Sequence, residues 1–371
     1  MGYVARCPSC GREYGDPLRF RCDCGSPLDL SLQLEGFDKA AVKEIASMWR
    51  YVEFFPYIRG REIVTLGEGW TPLLRFHGNV YVKMDFLNPT GSFKDRGASA
   101  LISAIRDRIS GFIAEDSSGN AGASMAAYAA RAGIRARIYV PASISGHKID
   151  QIIAYGAELV RVEGDRRRVS EEAMRPEPRK FYVGHAWHPA FRDGMRTLAY
   201  EIVEQLNWLP PDRIYVPVSS GTGLLGILDG FKHLGEPFPE VVACQTEIVS
   251  PLYRRFRGEP YSPPRRLETI ADALIVTNPP LLDLMVNKLR AMGGSVEVVG
   301  EGEIANAFHE LARSGIFVEP TSAVPLACYR KQVELGEVDE GDRVVLLLTG
   351  SGLKTKPDIM DRLLEGILSR D

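Results

Sequence analysis

The chain has 371 residues, of which 45% are hydrophobic and 25% charged, and its formal net charge is −3 at pH 7. These are ordinary values for a globular protein large enough for two lobes, and the small charge gives no reason to expect a nucleic-acid partner. No segment approaches the roughly 18 uncharged apolar residues of a membrane span, and the first residues lack the apolar stretch of an export signal. We therefore expect a cytoplasmic protein with no membrane partner.

Four of the six cysteines lie within the first 24 residues, as the pairs Cys7 with Cys10 and Cys22 with Cys24. In a chain without an export signal, such pairs indicate a metal site rather than a disulfide framework. Four thiolates would hold Zn²⁺ in the tetrahedral geometry that this ion prefers. The sequence therefore predicts a zinc-ribbon-like module over residues 1–35. A ribbon that has lost its metal and keeps reduced thiols is the alternative.

Residues 38–57 are predicted to form a helical connector, and residues 80–84 then alternate like a β-strand. Asn-Pro and Thr-Gly at 88–91 end the strand, and apolar residues recur at helical spacing beyond Gly97. Lys94 therefore lies where a turn enters a helix, and there free backbone N–H groups and the helix dipole disfavour an ammonium ion. We expect a lowered pKa for Lys94 and an amine ready to form a Schiff base with an aldehyde.

Strands and helices alternate through the middle of the chain. Predicted strands at 111–114, 136–141 and 158–162 are separated by a Ser/Gly turn with an alanine-rich helix and by a helix at 148–156. Repeated units of this length require parallel sheets with both faces covered. The predicted fold class is therefore α/β, with parallel sheets covered by helices.

A second glycine loop follows the strand-like run 213–218 and precedes a helical run. A strand, a Ser/Gly/Thr turn and a helix start together form an arrangement that holds a phosphate with backbone N–H groups and hydroxyls. The loop is neither a P-loop nor a dinucleotide fingerprint, because it lacks Gly-Lys-Ser/Thr and GxGxxG. Its residues are Ser219, Ser220, Gly221, Thr222 and Gly223. Farther on, the very apolar strand 344–348 ends at Thr349.

Residues 88–97, Asn-Pro-Thr-Gly-Ser-Phe-Lys-Asp-Arg-Gly, resemble the active-lysine motif of pyridoxal 5′-phosphate (PLP) enzymes of the tryptophan-synthase-β class, most closely the threonine synthase family. Further motifs follow in that family's order across about residues 60–360. They are Leu66-Gly67-Glu68-Gly69-Trp70-Thr71-Pro72-Leu73, Ser118-Gly119-Asn120, the loop 219–223, Glu319-Pro320-Thr321-Ser322-Ala323 and Thr349-Gly350-Ser351-Gly352-Leu353-Lys354.

The resemblance implies a two-lobed fold-type II enzyme that binds PLP and acts on an amino acid, and a homodimer is expected. Residues 36–96 with 198–371 would form the large PLP-binding domain, and residues 97–197 the small domain.

The resemblance also assigns roles. It makes Lys94 the catalytic residue, which holds PLP and takes the α-proton of the substrate. Asn120 would bind the 3′-oxygen of the cofactor, the loop 219–223 its phosphate and Thr349 its pyridine nitrogen. The substrate carboxylate would be received by Ser117 and Ser118.

Two stretches depart from the family. Ala121 stands where the family usually has Thr after the Ser-Gly-Asn asparagine. Residues 185–197 replace a stretch like Asn-Ser-x-Asn-Pro-x-Arg-x-x-Gly-Gln-Lys-Thr, with His185 and His188 in place of the asparagines. The arginine has either become Phe191 or moved by one position to Arg192. A substrate phosphate needs polar partners, and we expect them from Lys148, Arg192 and Arg196.

The predicted enzyme is a PLP-dependent carbon–oxygen lyase that converts O-phosphohomoserine and water to threonine and phosphate. The alternative is PLP-dependent β-elimination or β-replacement on serine, threonine or O-phosphoserine, as in dehydratases and sulfhydrylases. A non-catalytic zinc-ribbon binding protein is the third hypothesis.

Overall fold

A computed structural model of the protein describes residues 2–33, 36–142 and 147–368. The chain divides into two compact units, the first of Met1–Trp70 with Asn88–Thr197 and the second of Thr71–Leu87 with Leu198–Asp371. Small parts of the predicted domains lie outside the described residues, namely 1, 34, 35, 143–146 and 369–371.

The described residues form thirteen strands and twelve α-helices. The strands are β1 (Gly2–Arg6), β2 (Glu13–Tyr14), β3 (Asp29–Gln33), β4 (Leu73–His77), β5 (Val80–Met84), β6 (Phe112–Glu115), β7 (Arg135–Pro141), β8 (Glu158–Val162), β9 (Lys180–Tyr182), β10 (Arg213–Pro217), β11 (Glu240–Thr246), β12 (Ser295–Val299) and β13 (Val344–Leu348). The helices are α1 (Lys94–Ile105), α2 (Asn120–Arg131), α3 (His147–Ala154), α4 (Arg166–Met174), α5 (Pro189–Gly194), α6 (Thr197–Gln205), α7 (Thr222–Leu234), α8 (Pro251–Arg257), α9 (Leu282–Ala291), α10 (Glu301–Arg313), α11 (Pro320–Glu334) and α12 (Pro357–Leu368).

The division by compactness differs from the predicted domains. It places residues 36–70 and 88–96 together with 97–197, whereas the prediction groups them with 198–371. A boundary after residue 96 would cut through α1, which is one continuous helix from Lys94 to Ile105. The predicted domain boundaries stay a prediction.

The first unit contains two sheets. The N-terminal sheet has the order β2-β1-β3 and is antiparallel. The second has the order β8-β7-β6-β9 and is parallel throughout. All four residues of the inner strand β6 are buried, as expected for a parallel sheet covered on both faces. The strand ends at Glu115, directly before the turn that leads into α2.

The second unit is built on one six-stranded sheet of order β12-β11-β10-β13-β5-β4. Its strands are parallel except for β4, which pairs with β5 in antiparallel fashion. Strand β13 lies between β10 and β5, and each of its five residues is buried. The uninterrupted apolar run 344–348 therefore occupies the centre of the sheet, and the predicted α/β class with parallel sheets is confirmed.

The predicted helical connector at 38–57 is wrong. The segment contains two 3₁₀-helices, Lys39–Ala41 and Met48–Phe54, and Tyr51 has non-helical dihedral angles. Aromatic side chains at Trp49, Tyr51 and Phe54 are all buried. An α-helix buries one face, so burial of such closely spaced large side chains favours an irregular, tightly packed segment.

None of the helices in the described part of the chain has the length and apolar character needed to cross a bilayer.

Candidate active site

Lys94 is the first residue of α1 and is only 8% exposed. The preceding turn has Gly91 at a φ of 80° and is closed by a hydrogen bond from the Gly91 N–H to the Asn88 carbonyl, at 2.8 Å. Burial lowers the pKa of Lys94 from 10.5 to about 7, because an ammonium ion loses its hydration there. A substantial fraction of neutral amine therefore exists near neutral pH, as a nucleophilic lysine requires.

Aromatic rings surround this amine within the first unit. The Lys94 Nζ lies 4.4 Å from the ring centroid of Phe93 and 6.0 Å from that of Phe191. Phe191 reaches this position because Gly97 has no side chain: a Cβ there would lie 2.5 Å from the Phe191 ring. An apolar ring therefore lies near the Lys94 amine.

Glu115 and His185 form a buried pair in the same unit. The His185 Nδ1 lies 2.7 Å from Glu115 Oε1, and the His185 backbone N–H donates to Oε2 at 3.0 Å. Burial raises the pKa of Glu115 well above its ordinary value and lowers the pKa of His185 to about 3. His185 is therefore neutral at physiological pH. Its ring packs edge-on against Phe191, with centroids 5.8 Å apart.

The predicted substrate and cofactor residues of the Ser-Gly-Asn motif lie at the start of α2. Ser117 is buried, and Ser118 and Asn120 are half-buried. No side chain caps this helix end, and the N-terminus of a helix favours an anion. Gly122 allows the helix to pack closely, because a Cβ at this position would overlap the Ser117 carbonyl.

Two carboxylates hold these parts of the first unit together, and the sequence analysis assigned no role to either. Glu68 is fully buried and accepts from Trp49 Nε1 at 2.7 Å and from the Tyr128 hydroxyl at 2.6 Å, while the Ser99 hydroxyl lies 2.5 Å from it. Asp95 is also fully buried, and hydrogen bonds join it to the turn before Lys94 and to Ser124 of α2.

A signal for these residues, and for Glu115, is present in the sequence. Each is an acidic residue within a glycine motif or at the end of an apolar strand, where an unpaired carboxylate is costly. Their donors come from other parts of the chain, so the pattern alone does not identify the partners.

In the second unit, the glycine loop has the features expected of an anion site. Gly221 has a φ of 88° and precedes α7, whose N-terminus has no side-chain cap. The Ser220 side chain is 2% exposed, and its hydroxyl has no hydrogen-bond partner among the described residues. A buried hydroxyl usually has a partner, so this group and the uncapped helix N-terminus beside it fit a bound phosphate. A Cβ on Gly221 would overlap the Met285 sulfur.

The structure brings two other predicted motifs together in this unit. The Thr349 hydroxyl lies 3.1 Å from Ser322 Oγ, which also accepts from the backbone N–H groups of Thr349 and Gly350, at 3.0 and 2.8 Å. The Glu319 N–H donates to the Gly350 carbonyl at 2.9 Å. Thr349 is thus fixed at the end of β13, with a hydroxyl that offers only neutral hydrogen bonds.

The three predicted phosphate ligands differ in placement. Lys148 lies in the first turn of α3 and is half-buried. Arg192 is 3% exposed and donates to the Leu28 and Trp187 carbonyls. Arg196 is 1% exposed, pairs with Asp193 at 2.6 Å and donates to the Phe54 carbonyl at 2.9 Å. Both guanidinium groups are therefore engaged by acceptors of the protein itself.

His188 has a structural position as well. It precedes α5, where its ring accepts a hydrogen bond from the Ala190 N–H at 3.3 Å, and it is fully buried. Burial lowers the pKa of His188 to about 3. Its ring is thus neutral and serves as the N-cap of the helix.

The four N-terminal cysteines form one cluster, and their sulfur atoms all lie within 4.8 Å of one another. Cys7 Sγ is 3.5 Å from Cys24 Sγ, and Cys10 Sγ is 3.5 Å from Cys22 Sγ. Tetrahedral zinc with Zn–S bonds of about 2.3 Å requires sulfur atoms about 3.8 Å apart. The cluster therefore fits the geometry of a structural zinc site.

Known proteins are similar to this chain over most of its length. A family model described as pyridoxal-phosphate dependent enzyme matches residues 64–350. A threonine synthase of Methanocaldococcus jannaschii is 34% identical in an alignment of 389 positions that spans 98% of this chain and 95% of that protein. A threonine synthase of Methanosarcina acetivorans is 31% identical, over 97% of this chain and 94% of that protein.

Solved structures share the fold. The processed form of threonine deaminase isoform 2 from Solanum lycopersicum is similar with a TM-score of 0.70 and 20% identity, over 89% of each chain. At this identity the similarity concerns the fold alone.

Proposed function

The chain belongs to the pyridoxal-phosphate dependent enzyme family, and from this premise we propose that it is a threonine synthase acting on O-phosphohomoserine. The observation that carries the proposal is the M. jannaschii threonine synthase, which matches 98% of this chain at 34% identity. The fold-type II architecture and the PLP cofactor follow from the family itself.

The residues present fit PLP, which is an aldehyde with a phosphate group. Lys94 offers a buried amine whose pKa is about 7, and the loop 219–223 offers the uncapped N-terminus of α7 and the buried Ser220 hydroxyl. When bound, PLP delocalises the negative charge that develops at the α-carbon of the substrate.

We assign the following roles to the chain's own groups. Lys94 Nζ would hold PLP covalently and, once released, accept the α-proton. Asn120 would bind the 3′-oxygen, and the loop 219–223 the phosphate. Thr349 would face the ring nitrogen with a neutral hydroxyl, which leaves that nitrogen largely unprotonated. The start of α2, with Ser117 and Ser118, would receive the substrate carboxylate.

For the substrate phosphate, our proposal retains Lys148 and changes the roles of the two arginines. Arg192 and Arg196 are buried and bound to carbonyl and carboxylate groups of the protein. Releasing either one toward a ligand would leave those acceptors unsatisfied, at a cost of about 1–3 kcal/mol for each. We therefore assign both arginines to holding the segment in which they lie.

We also propose that Cys7, Cys10, Cys22 and Cys24 hold one structural Zn²⁺, because their sulfur atoms are already clustered within 4.8 Å. Metal analysis of the purified protein should give one zinc per chain, and a Cys10→Ser variant should bind it far more weakly. An enzyme of amino-acid biosynthesis is expected to work in the cytoplasm, and the native particle mass should be that of a homodimer.

One observation favours a second candidate function, β-elimination on serine or threonine. The Phe191 ring centroid lies 6.0 Å from the Lys94 amine, and position 191 is one of the two, with 192, that could correspond to the family's arginine. An apolar ring at this position suits an uncharged β-hydroxyl substrate better than a phosphorylated one.

Product analysis separates the two candidates. With O-phosphohomoserine, the proposed enzyme releases phosphate and threonine in equal amounts, and Lys94→Ala releases neither. An eliminating enzyme instead forms ammonia and a keto acid from serine or threonine. Phosphate release unaffected by Lys94→Ala would contradict the proposed mechanism.

A further inference from the structure

The N-terminal ribbon, residues 2–33, packs against the segment 182–196, which contains α5. The Arg192 guanidinium donates to the Leu28 carbonyl and lies 3.8 Å from the Asp29 carboxylate. Two ring contacts accompany it. Phe20 and Tyr182 have centroids 5.1 Å apart, and the Arg21 guanidinium lies 5.7 Å from the Trp187 ring centroid. The ribbon is therefore in direct contact with this segment rather than tethered beside it.

The carbonyl that receives Arg192 belongs to the core of the ribbon. The Leu28 side chain is fully buried in a cluster with Ala5, Cys7 and Cys22, two of which are proposed zinc ligands. The Leu28 N–H donates to the Phe20 carbonyl at 3.2 Å. This core is small, and small modules of this kind depend on their metal to stay folded. The position of the Leu28 carbonyl therefore depends on closure of the cysteine cluster.

The other end of the connection is Lys94. Phe191 directly precedes Arg192 in α5, and its ring lies 6.0 Å from Lys94 Nζ. The helix has little freedom there, since a Cβ on Gly97 would meet Phe191 and one on Gly194 would overlap the Arg96 carbonyl. Closely packed elements move as units, so a shift of Arg192 displaces the ring beside Lys94.

We propose that Arg192 is a positioning residue through which the zinc-loaded ribbon sets the environment of Lys94. Without the metal, the ribbon core loosens and the buried guanidinium loses its two partners in the ribbon, the Leu28 carbonyl and the Asp29 carboxylate. A buried charge does not remain unpaired, so Arg192 moves toward water and Phe191 moves away from the amine. The inference rests on the proposed role of Lys94 as the cofactor lysine.

The reactivity of Lys94 is measured by adding PLP to the PLP-free protein. The quantity recorded is the rate at which the visible absorbance of the Schiff base appears, and borohydride abolishes this absorbance. Removing zinc with a chelator should slow this reaction about tenfold, as expected for loss of one charge-assisted hydrogen bond, and adding Zn²⁺ alone should restore it. In the zinc-loaded protein, Arg192→Met should slow the reaction with PLP to a similar extent. Chelation of zinc should then lower the rate of this variant by less than about twofold more, because coupled changes are not additive.

Two variants act as controls. Arg192→Lys should recover part of the rate, since an ammonium group still donates to a carbonyl. Arg213→Gln removes ion pairs to Asp342 and Glu240 in the second unit and should leave both the rate and its zinc dependence unchanged. If Arg192→Met does not fold, Asp29→Asn takes its place, because it removes the charge of the ribbon carboxylate that lies near the Arg192 guanidinium.

Independent, multiplying effects of chelation and Arg192→Met would overturn the inference, as would an unchanged rate after zinc removal or a protein purified without zinc. A wild-type protein that never shows the absorbance would refute the role of Lys94 itself, and the inference with it.

Discussion

Lys94 combines an ordinary side chain with an unusual position, because the first turn of α1 is buried among aromatic rings. The resulting pKa of about 7 makes a testable statement about pH. Only the neutral amine reacts with an aldehyde, and raising the pH through 7 converts the ammonium ion to this amine. We expect the rate of PLP binding by the PLP-free protein to rise with pH and level off by about pH 8. A rate still rising tenfold per unit at pH 9 would indicate an ordinary lysine.

Gly221 is a position in the second glycine loop where a side chain does not fit. It has a φ of 88°, and a Cβ would overlap Met285. Gly221→Val should distort the loop and weaken PLP binding by about 2 kcal/mol, roughly thirtyfold, through strain and lost phosphate hydrogen bonds. The dissociation constant of PLP is the quantity to measure.

Gly235→Ala is the matched control for that substitution. Gly235 lies at the other end of α7 with a φ of 93°, and no other atom would contact its Cβ within 4 Å. Gly235→Ala should lower the free energy of unfolding but leave the affinity for PLP unchanged. If both variants bind PLP like the wild type, the loop does not bind the phosphate.

At the scale of elements, Glu68 joins the segment before β4 to the two helices that begin at Lys94 and Asn120. Its donors include Ser99 of α1 and Tyr128 of α2. Glu68→Gln places an amide N–H₂ against donors, so the free energy of unfolding should fall by about 2–4 kcal/mol. Urea denaturation measures it. Glu310→Gln, which loses a partly exposed pair with Arg330, should change it by less than about 1 kcal/mol.

The sequence predicts elements well where the signal is local. Strands β5, β8 and β13 begin and end at the predicted residues, because an alternating or continuous apolar run sets them directly. The turn-to-helix position of Lys94 was predictable for the same reason, since Gly and Pro mark the turn.

Other features depend on partners far along the chain. Arg192 has a side chain suited to binding phosphate, yet it donates to the Leu28 carbonyl, which is 164 positions away in the sequence. The 3₁₀ segment at 48–54 is likewise held by tertiary burial of its aromatic residues rather than by local periodicity. Sequence patterns report which groups are available, whereas tertiary packing decides what they contact.

At the scale of the molecule, the similarity to threonine synthases covers nearly all of the chain, from the ribbon to the C-terminal helix. Lys94 lies in the first unit, and the glycine loop and Thr349 lie in the second. The chemistry therefore belongs to PLP enzymes, and we propose that substrate choice depends on the groups at residues 121 and 185–197, where the sequence differs from the expected motif.

The measurement that tests this account most directly is kcat/KM for O-phosphohomoserine beside serine, threonine and O-phosphoserine, with one preparation of enzyme. We expect O-phosphohomoserine to be preferred over serine and threonine by about tenfold or more, since one charge-assisted hydrogen bond to its phosphate contributes about 1.5–3 kcal/mol. We also expect it to exceed O-phosphoserine, which carries the same phosphate on a shorter side chain. A higher kcat/KM for serine, threonine or O-phosphoserine would contradict the threonine synthase assignment and support the eliminating enzyme instead.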